Sequence, residues 1–382
     1  MKRLTSTASL LALLLALALP AAGSSAGAPP GVGGFAGALP GVGGFAGALP
    51  GVGGSAGALP GVGGSAVASP AGTSLAGASQ AGVRALIVGV GEQEHYMFGD
   101  PHFQALGIHY ARLSIGWNAL TNSAQARELA TWLSDARADG VHPLISFEQS
   151  SLPGHHKQLP TPAQLARQFR LLHARYPWVT DFATWNEANY CGQPTCQRPA
   201  LVAAYYVQMR RICMACNVLA AELLDVPNMV RWVRGFRHAL GREPGIWGLH
   251  NYIGANRLQT ASTRALLGAT RGAIWFTETA GVVARHNHSS HDFPESPAHA
   301  AAVTRFVFTH LARLSGRIAR VYLYQWEAGT ARREPWDSAL IGPHGTPRPA
   351  FWVMVEELHT LGQLPTTLAA EALLATASRA RG

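Results

Sequence analysis

The sequence predicts an α/β protein: a single (β/α)8 TIM barrel preceded by a disordered tether rich in Gly, Ala and Pro. Three observations lead there. Short apolar runs alternate with amphipathic segments eight times after residue 83. The runs are almost continuously apolar, as parallel strands covered on both faces must be. The residues before 83 share none of this texture.

The N-terminal part divides in two. Lys2 and Arg3 precede an apolar stretch, Leu10 to Leu19, closed by small residues. That is the pattern of a secretory signal peptide, assigned here to 1–26. Residues 27–82 form a low-complexity linker. GVGGFAGALP fills 31–40 and 41–50, GVGGSAGALP fills 51–60, and a decayed copy, GVGGSAVASP, fills 61–70. Such copies bury too little apolar surface to offset backbone entropy, so they read as a flexible tether. A self-associating module offering cell-wall association is the sharper alternative.

The barrel is placed at 83–365 and a C-terminal tail at 366–382. The eight strand candidates are 85–90, 110–115, 142–147, 181–185, 217–222, 246–252, 273–277 and 320–326. Helix signals separate them. Thr161-Pro162-Ala163-Gln164 is a capping box with Pro at the first helical position. Leu165, Phe169 and Leu172 then share one face. Leu129, Trp132, Leu133 and Ala136 repeat that spacing, and Gly140 supplies a left-handed end. Ser296-Pro297 opens another helix, with Val303, Phe306, Val307, Leu311 and Leu314 as its stripe. Eight such pairs are the arithmetic of a closed barrel. An open doubly wound sheet competes, but Gly89-Val90-Gly91-Glu92 lacks the third glycine of a phosphate-binding loop.

Composition narrows the function. Lys and Arg number 30 against 21 Asp and Glu, a formal charge of +9, yet no run of like charges appears. No nucleic-acid partner is therefore expected. No later apolar run approaches the ~20 residues of a membrane span, so no integral membrane segment is expected once the signal is cleaved. The expected location is secreted, or at the cell surface or wall.

Barrel chemistry sits at the C-terminal strand ends. The fourth run ends in Trp185-Asn186-Glu187-Ala188-Asn189, and the seventh in Thr277-Glu278-Thr279. A carboxylate after a buried strand is costly unless it meets a cleft or a partner. Either glutamate alone reads equally well as a cap or an ion pair. Two facing each other across the rim fit glycoside hydrolysis, where one protonates the leaving oxygen and the other faces the anomeric carbon.

These residues carry a family resemblance. The Asn186-Glu187 segment resembles the Asn-Glu-Pro signature of clan A glycoside hydrolases, and Thr277-Glu278 resembles that clan's nucleophile strand. His250-Asn251-Tyr252 resembles the His-x-Tyr of family five cellulases and mannanases. Arg112 and Trp326 stand where that family has an Arg and a Trp. The run 337–350 is similar to the lead-in to the last helix in such enzymes, family thirty-nine relatives included. Two departures are visible: Ala188 replaces the usual Pro, and Ser146-Phe147-Glu148-Gln149 lacks the family-five His. His155 and His156 stand farther along that loop.

The resemblance implies roles. Glu187 is the expected acid/base and Glu278 the nucleophile. Asn186 would bind the sugar 2-hydroxyl, Tyr252 steer Glu278, His250 support the pair, and Arg112 hold Glu278 ionised. Trp326 would floor the sugar ring, with Trp117 and Asn118 as further subsite candidates; core packing is the plain reading for each tryptophan. No cofactor is expected.

Four cysteines in an exported chain imply two disulfides, with three connectivities open. Local pairing, Cys191 with Cys196 and Cys213 with Cys216, is preferred over a C-x-x-C redox site. His286, His288 and His291 form a His-rich loop; a polar cleft lining is preferred over a metal site. The expectation is a secreted retaining glycoside hydrolase acting on a β-linked polysaccharide or oligosaccharide. Its rivals are a non-catalytic carbohydrate-binding barrel, a structural wall protein and a metal-dependent barrel hydrolase. Limited proteolysis should leave a resistant fragment starting near residue 83; one starting well before 70 would refute the tether.

Overall fold

The computed structural model describes residues 86–285, 292–329 and 336–379. The signal peptide, the repeats and the His-rich loop at 286–291 lie outside them. The barrel strands are β1 (Ile87–Gly91), β2 (Tyr110–Gly116), β3 (His142–Glu148), β4 (Asp181–Ala183), β5 (Asn217–Leu219), β6 (Glu222–Leu224), β7 (Ile246–His250), β8 (Ala273–Thr279) and β10 (Ile318–Tyr324). All pair in parallel, in the order β5-β4-β3-β2-β1-β10-β8-β7-β6. Two short strands, β9 (Ala284–Arg285) and β11 (Trp336–Asp337), pair antiparallel above the rim.

Nine segments make eight staves, because β5 and β6 are halves of one strand. Ala220 donates to the Ile246 carbonyl, and Gly248 to that of Ala221, both at 2.9 Å. On the other side, Thr184 donates to Leu219 and Glu222 to Trp185. The ring therefore closes, and all eight expected strands are present. Closure leaves no unpaired edge.

Helices cover the outside: α1 (Pro101–Leu106), α2 (Ser123–Ala138), α3 (Pro162–Arg175), α4 (Pro199–Ile212), α5 (Met229–Leu240), α6 (Tyr252–Asn256), α7 (Ala261–Ala269), α8 (Pro297–Phe306), α9 (Pro349–Thr360) and α10 (Leu368–Arg379). Thr161 caps α3 in a complete capping box. Ser296 caps α8, which runs on through a π turn, burying Val303, Val307 and Leu311 while Phe306 and Leu314 stay partly buried. The α2 stripe is buried, and Gly140 has φ +67°. The stretch after 365 is more than a tail. As α10 it packs on α9 and α1, with Ala370 and Ala377 buried, since small residues let the helix sit close.

The barrel is filled in layers. Low in the interior lie Leu144, Ala183, Leu219, Trp275 and Tyr322. Beside them Arg320 meets Asp181 at 2.5 Å and stacks 3.7 Å from the Trp275 ring centre. Gly89 leaves the space that Tyr322 fills. A Cβ there would lie 2.6 Å from the Tyr110 carbonyl oxygen and 2.8 Å from the Tyr322 ring. Gly89→Ala should thus cost about 1–3 kcal/mol or more. Gly268→Ala, on exposed α7 with nothing within 4 Å of the new methyl, should instead add about 0.5–1 kcal/mol. Urea unfolding of the two variants should move the midpoint in opposite directions.

Candidate active site

Above that layer the interior turns polar. Arg112 on β2 is fully buried. Its Nε donates to Glu222 Oε1 at 2.8 Å and its Nη2 to Glu222 Oε2 at 2.6 Å. Nη1 donates to Glu278 Oε1 at 2.5 Å, and Nη2 also reaches Asn186 Oδ1 at 2.9 Å. The hydroxyl of Tyr252 donates to Glu278 Oε2 at 3.2 Å. Both oxygens of Glu278 are therefore held by donors.

Glu187 follows β4 in a turn with φ +44°, a left-handed conformation a non-glycine residue adopts only when its surroundings hold it. The turn is latched on its far side. Asn189 donates to the Leu224 carbonyl and accepts from the Leu224 N–H, both at 2.8 Å, while Asn228 donates to the Asn189 carbonyl. The Cys191–Cys196 disulfide closes the next loop, and Cys213–Cys216 closes the end of α4. Both expected pairings are formed.

His250, at the end of β7, joins the two glutamates. Its Nδ1 lies 3.2 Å from Glu187 Oε1 and 3.6 Å from Glu278 Oε2. One ligand atom from each of the three residues falls within 4.8 Å of the others. The glutamates differ in access: the Glu187 side chain is 18% exposed and that of Glu278 3%.

The electrostatics follow from burial and partners. Burial alone would raise the Glu222 pKa, but Arg112 outweighs it and holds the carboxyl below its ordinary range. Burial pulls His250 down, yet Glu278, Glu187 and Glu222 together raise it. Tyr252 is raised well above an ordinary phenol by burial and by Glu278. Glu148, at the end of β3, is pushed up to about 7 by burial, against a 3.1 Å bond from Asn186 Nδ2.

The trio Glu187, His250 and Glu278 has the atom types to hold a cation. The Arg112 guanidinium already occupies one Glu278 oxygen, and a divalent ion there would have to oppose that charge. A second grouping, His173 with Cys213 and Cys216, offers no thiolates because the two sulfurs are bonded to each other.

Four expected site residues thus converge on the Glu187–Glu278 pair: Asn186, Arg112, His250 and Tyr252. Trp326 does not. It is fully buried between Phe103 and Phe351, and its indole N–H donates to Asp100 Oδ2 at 2.9 Å. It is core beneath the rim, since a platform must show its face to the cleft. Trp117 lines a narrow void with Phe147, Gln168 and Leu172, toward α3. Asn118 is buried beside it, and neither side chain hydrogen-bonds to the glutamates. His155 and His156 bond to Gln158 and the Ser150 carbonyl, outside the cluster.

Sequence reasoning passed over Glu148 and Glu222, although each ends an apolar run just as Glu187 and Glu278 do. It also passed over Trp336, which is half-buried and packs edge-on to Tyr252 with ring centres 5.0 Å apart. Tyr324 lies in the same aromatic cluster.

No protein-family model matches the chain, and no curated protein sequence does. Solved structures match in fold. A family 39 glycoside hydrolase from Bacteroides cellulosilyticus WH2 is 14% identical over 74% of this chain, with a TM-score of 0.49; this chain spans 64% of that protein's length. GH5_18 from Streptomyces cattleya, solved with GlcNAc, is 16% identical over 73% of this chain and 81% of its own, with a TM-score of 0.53. Xylanase 10B from Thermotoga petrophila, solved with xylobiose, is 10% identical over 72% and 94%, with a TM-score of 0.52. At these identities the shared property is the barrel fold.

The raised Glu148 pKa makes a stability prediction. A folded-state value above the ordinary 4.5 means that stability falls as pH climbs from there through about 7, because the buried group must ionise. Glu148→Gln should be the more stable protein at about pH 8, by up to about 3 kcal/mol, with the excess vanishing toward pH 4.5. Urea titrations across that range check it.

Proposed function

We propose that this chain is a secreted retaining glycoside hydrolase acting on a β-linked polysaccharide or oligosaccharide. The observation that carries the reading is the approach of Glu187 and Glu278. They come from the ends of different staves, with carboxylate oxygens within 4.8 Å. Retaining enzymes keep their two carboxyls ~5–5.5 Å apart, whereas inverting enzymes need ~6.5–9.5 Å to admit a water.

The roles follow from access and partners. Glu187, the more exposed, protonates the glycosidic oxygen as the leaving group departs. Glu278, held between Arg112 and Tyr252, attacks the anomeric carbon and forms a glycosyl ester. Glu187, now a carboxylate, takes a proton from water, whose oxygen displaces Glu278 from the same carbon. Two inversions give net retention. Asn186, held by Arg112 and Glu148, is positioned to meet a sugar hydroxyl. With Trp326 buried, the half-buried Trp336 beside Tyr252 is the candidate platform for a pyranose in this reading. Cleavage of the signal at 1–26 would export the barrel with its two disulfides. No helix among the described residues is long and apolar enough to cross a membrane.

A panel of aryl β-glycosides and β-glucans tests the reading, with NMR of the first-formed anomer. Glu278→Ala should abolish turnover of every substrate. Glu187→Ala should spare substrates with good leaving groups, lose about 10²–10⁴-fold on poor ones, and regain rate with azide as a β-glycosyl azide forms. Equal, non-rescuable loss in both variants would sink the assignment. So would loss of activity on chelation, which would favour the Glu187–His250–Glu278 trio as a metal site.

A further inference from the structure

Glu222 has no part in that double displacement, yet its carboxylate is fully buried and bonded on both oxygens. It opens β6, immediately after the two alanines that break the fifth stave. In register it faces Gly248, where a Cβ would lie 2.7 Å from Glu222 Cγ. A side chain on β7 at that level would exclude it, so the glycine opens the space the carboxylate occupies.

Its contacts run in three directions. The carboxylate grips the Nε–Nη2 edge of Arg112 at 2.8 and 2.6 Å. Oε2 accepts from Ser146 Oγ at 2.5 Å and lies 3.8 Å from His250 Nε2. Its backbone donates to the Trp185 carbonyl at 3.0 Å and accepts from the Ala188 N–H at 2.9 Å, bracketing Glu187. Glu222 thus touches the group that holds Glu278, the group that faces Glu187, and the backbone on either side of Glu187.

The chemistry of Arg112 gives these contacts a consequence. A guanidinium prefers a bidentate grip on one carboxylate. Were its Nε–Nη2 edge free, Arg112 could turn that fork on Glu278 and bind the electron pairs that must attack carbon. With Glu222 on that edge, only Nη1 reaches Glu278. His250 is faced by Glu187 from the turn after β4, Glu222 from β6, Glu278 from β8 and the opposing charge of Arg112 from β2.

We propose that Glu222 is a positioning residue for both glutamates: its carboxylate diverts the Arg112 fork from Glu278, and its backbone pins the turn that carries Glu187. This inference rests on the glycosidase reading.

The experiment compares wild type with Glu222→Gln on 2,4-dinitrophenyl β-glycosides, whose good leaving group isolates the nucleophile from the acid, across the pH profile. The Gln variant should lose about 10²-fold in kcat with KM within about threefold, because the damage lies in the reacting groups and not in sugar binding. Its kcat and the acidic limb of its kcat/KM profile should both move down, because a fuller Arg112 grip on Glu278 favours the charged carboxylate while tying up its electron pairs. Ser146→Ala, which removes one donor to Glu222, should shift both in the same direction by less. Unchanged kcat and pH limbs in Glu222→Gln would overturn the proposal and leave the glycosidase reading standing. Should the Gln variant fail to fold, Ser146→Ala decides. A wild type that turns over none of the glycosides defeats the glycosidase reading, and the catalytic part of this proposal with it.

Discussion

A single buried cation organises the upper half of this barrel. Arg112 carries its charge into an interior where water does not reach, and an isolated charge there would be prohibitively costly. Its donors must find acceptors, and four of the five do so in Glu222, Glu278 and Asn186. Each of those partners is in turn fixed in place, because letting go would leave the guanidinium uncompensated. The geometry around Glu187 and Glu278 is therefore set from below, by the charge balance of the layer beneath the rim.

The polar layer works only because the layers below it are packed. Tyr322, Trp275 and the Arg320–Asp181 pair plug the lower barrel. Glycines then apportion the remaining room: Gly89 for Tyr322, Gly248 for Glu222. In a closed ring, every inward side chain competes for one narrow axis. A large residue on one stave therefore requires a small one on its neighbour.

The rim is tied more locally. The left-handed turn at Glu187 is held by Asn189 and Asn228 on one side and by the Glu222 backbone on the other. A disulfide closes the loop beyond. These bonds explain how a strained residue keeps one orientation.

The sequence by itself determined the elements. Continuous apolar runs, capping boxes and helical stripes act over a few residues, so their signals are local and were legible before any fold was known. The pairing of Cys191 with Cys196 and of Cys213 with Cys216 was legible for the same reason. Tertiary structure alone decided which strand-end carboxylates meet. Glu148 and Glu222 carry the same signal as Glu187 and Glu278. What separates them is stave register and the direction each side chain takes inside a closed ring, and those depend on residues 100 or more positions away. The same holds for the aromatics. Trp326 and Trp336 are ten residues apart in similar company, but Phe103 and Phe351 enclose the first while the β9–β11 pairing brings the second beside Tyr252. Exposure is a property of what packs against a residue, and that is written elsewhere in the chain.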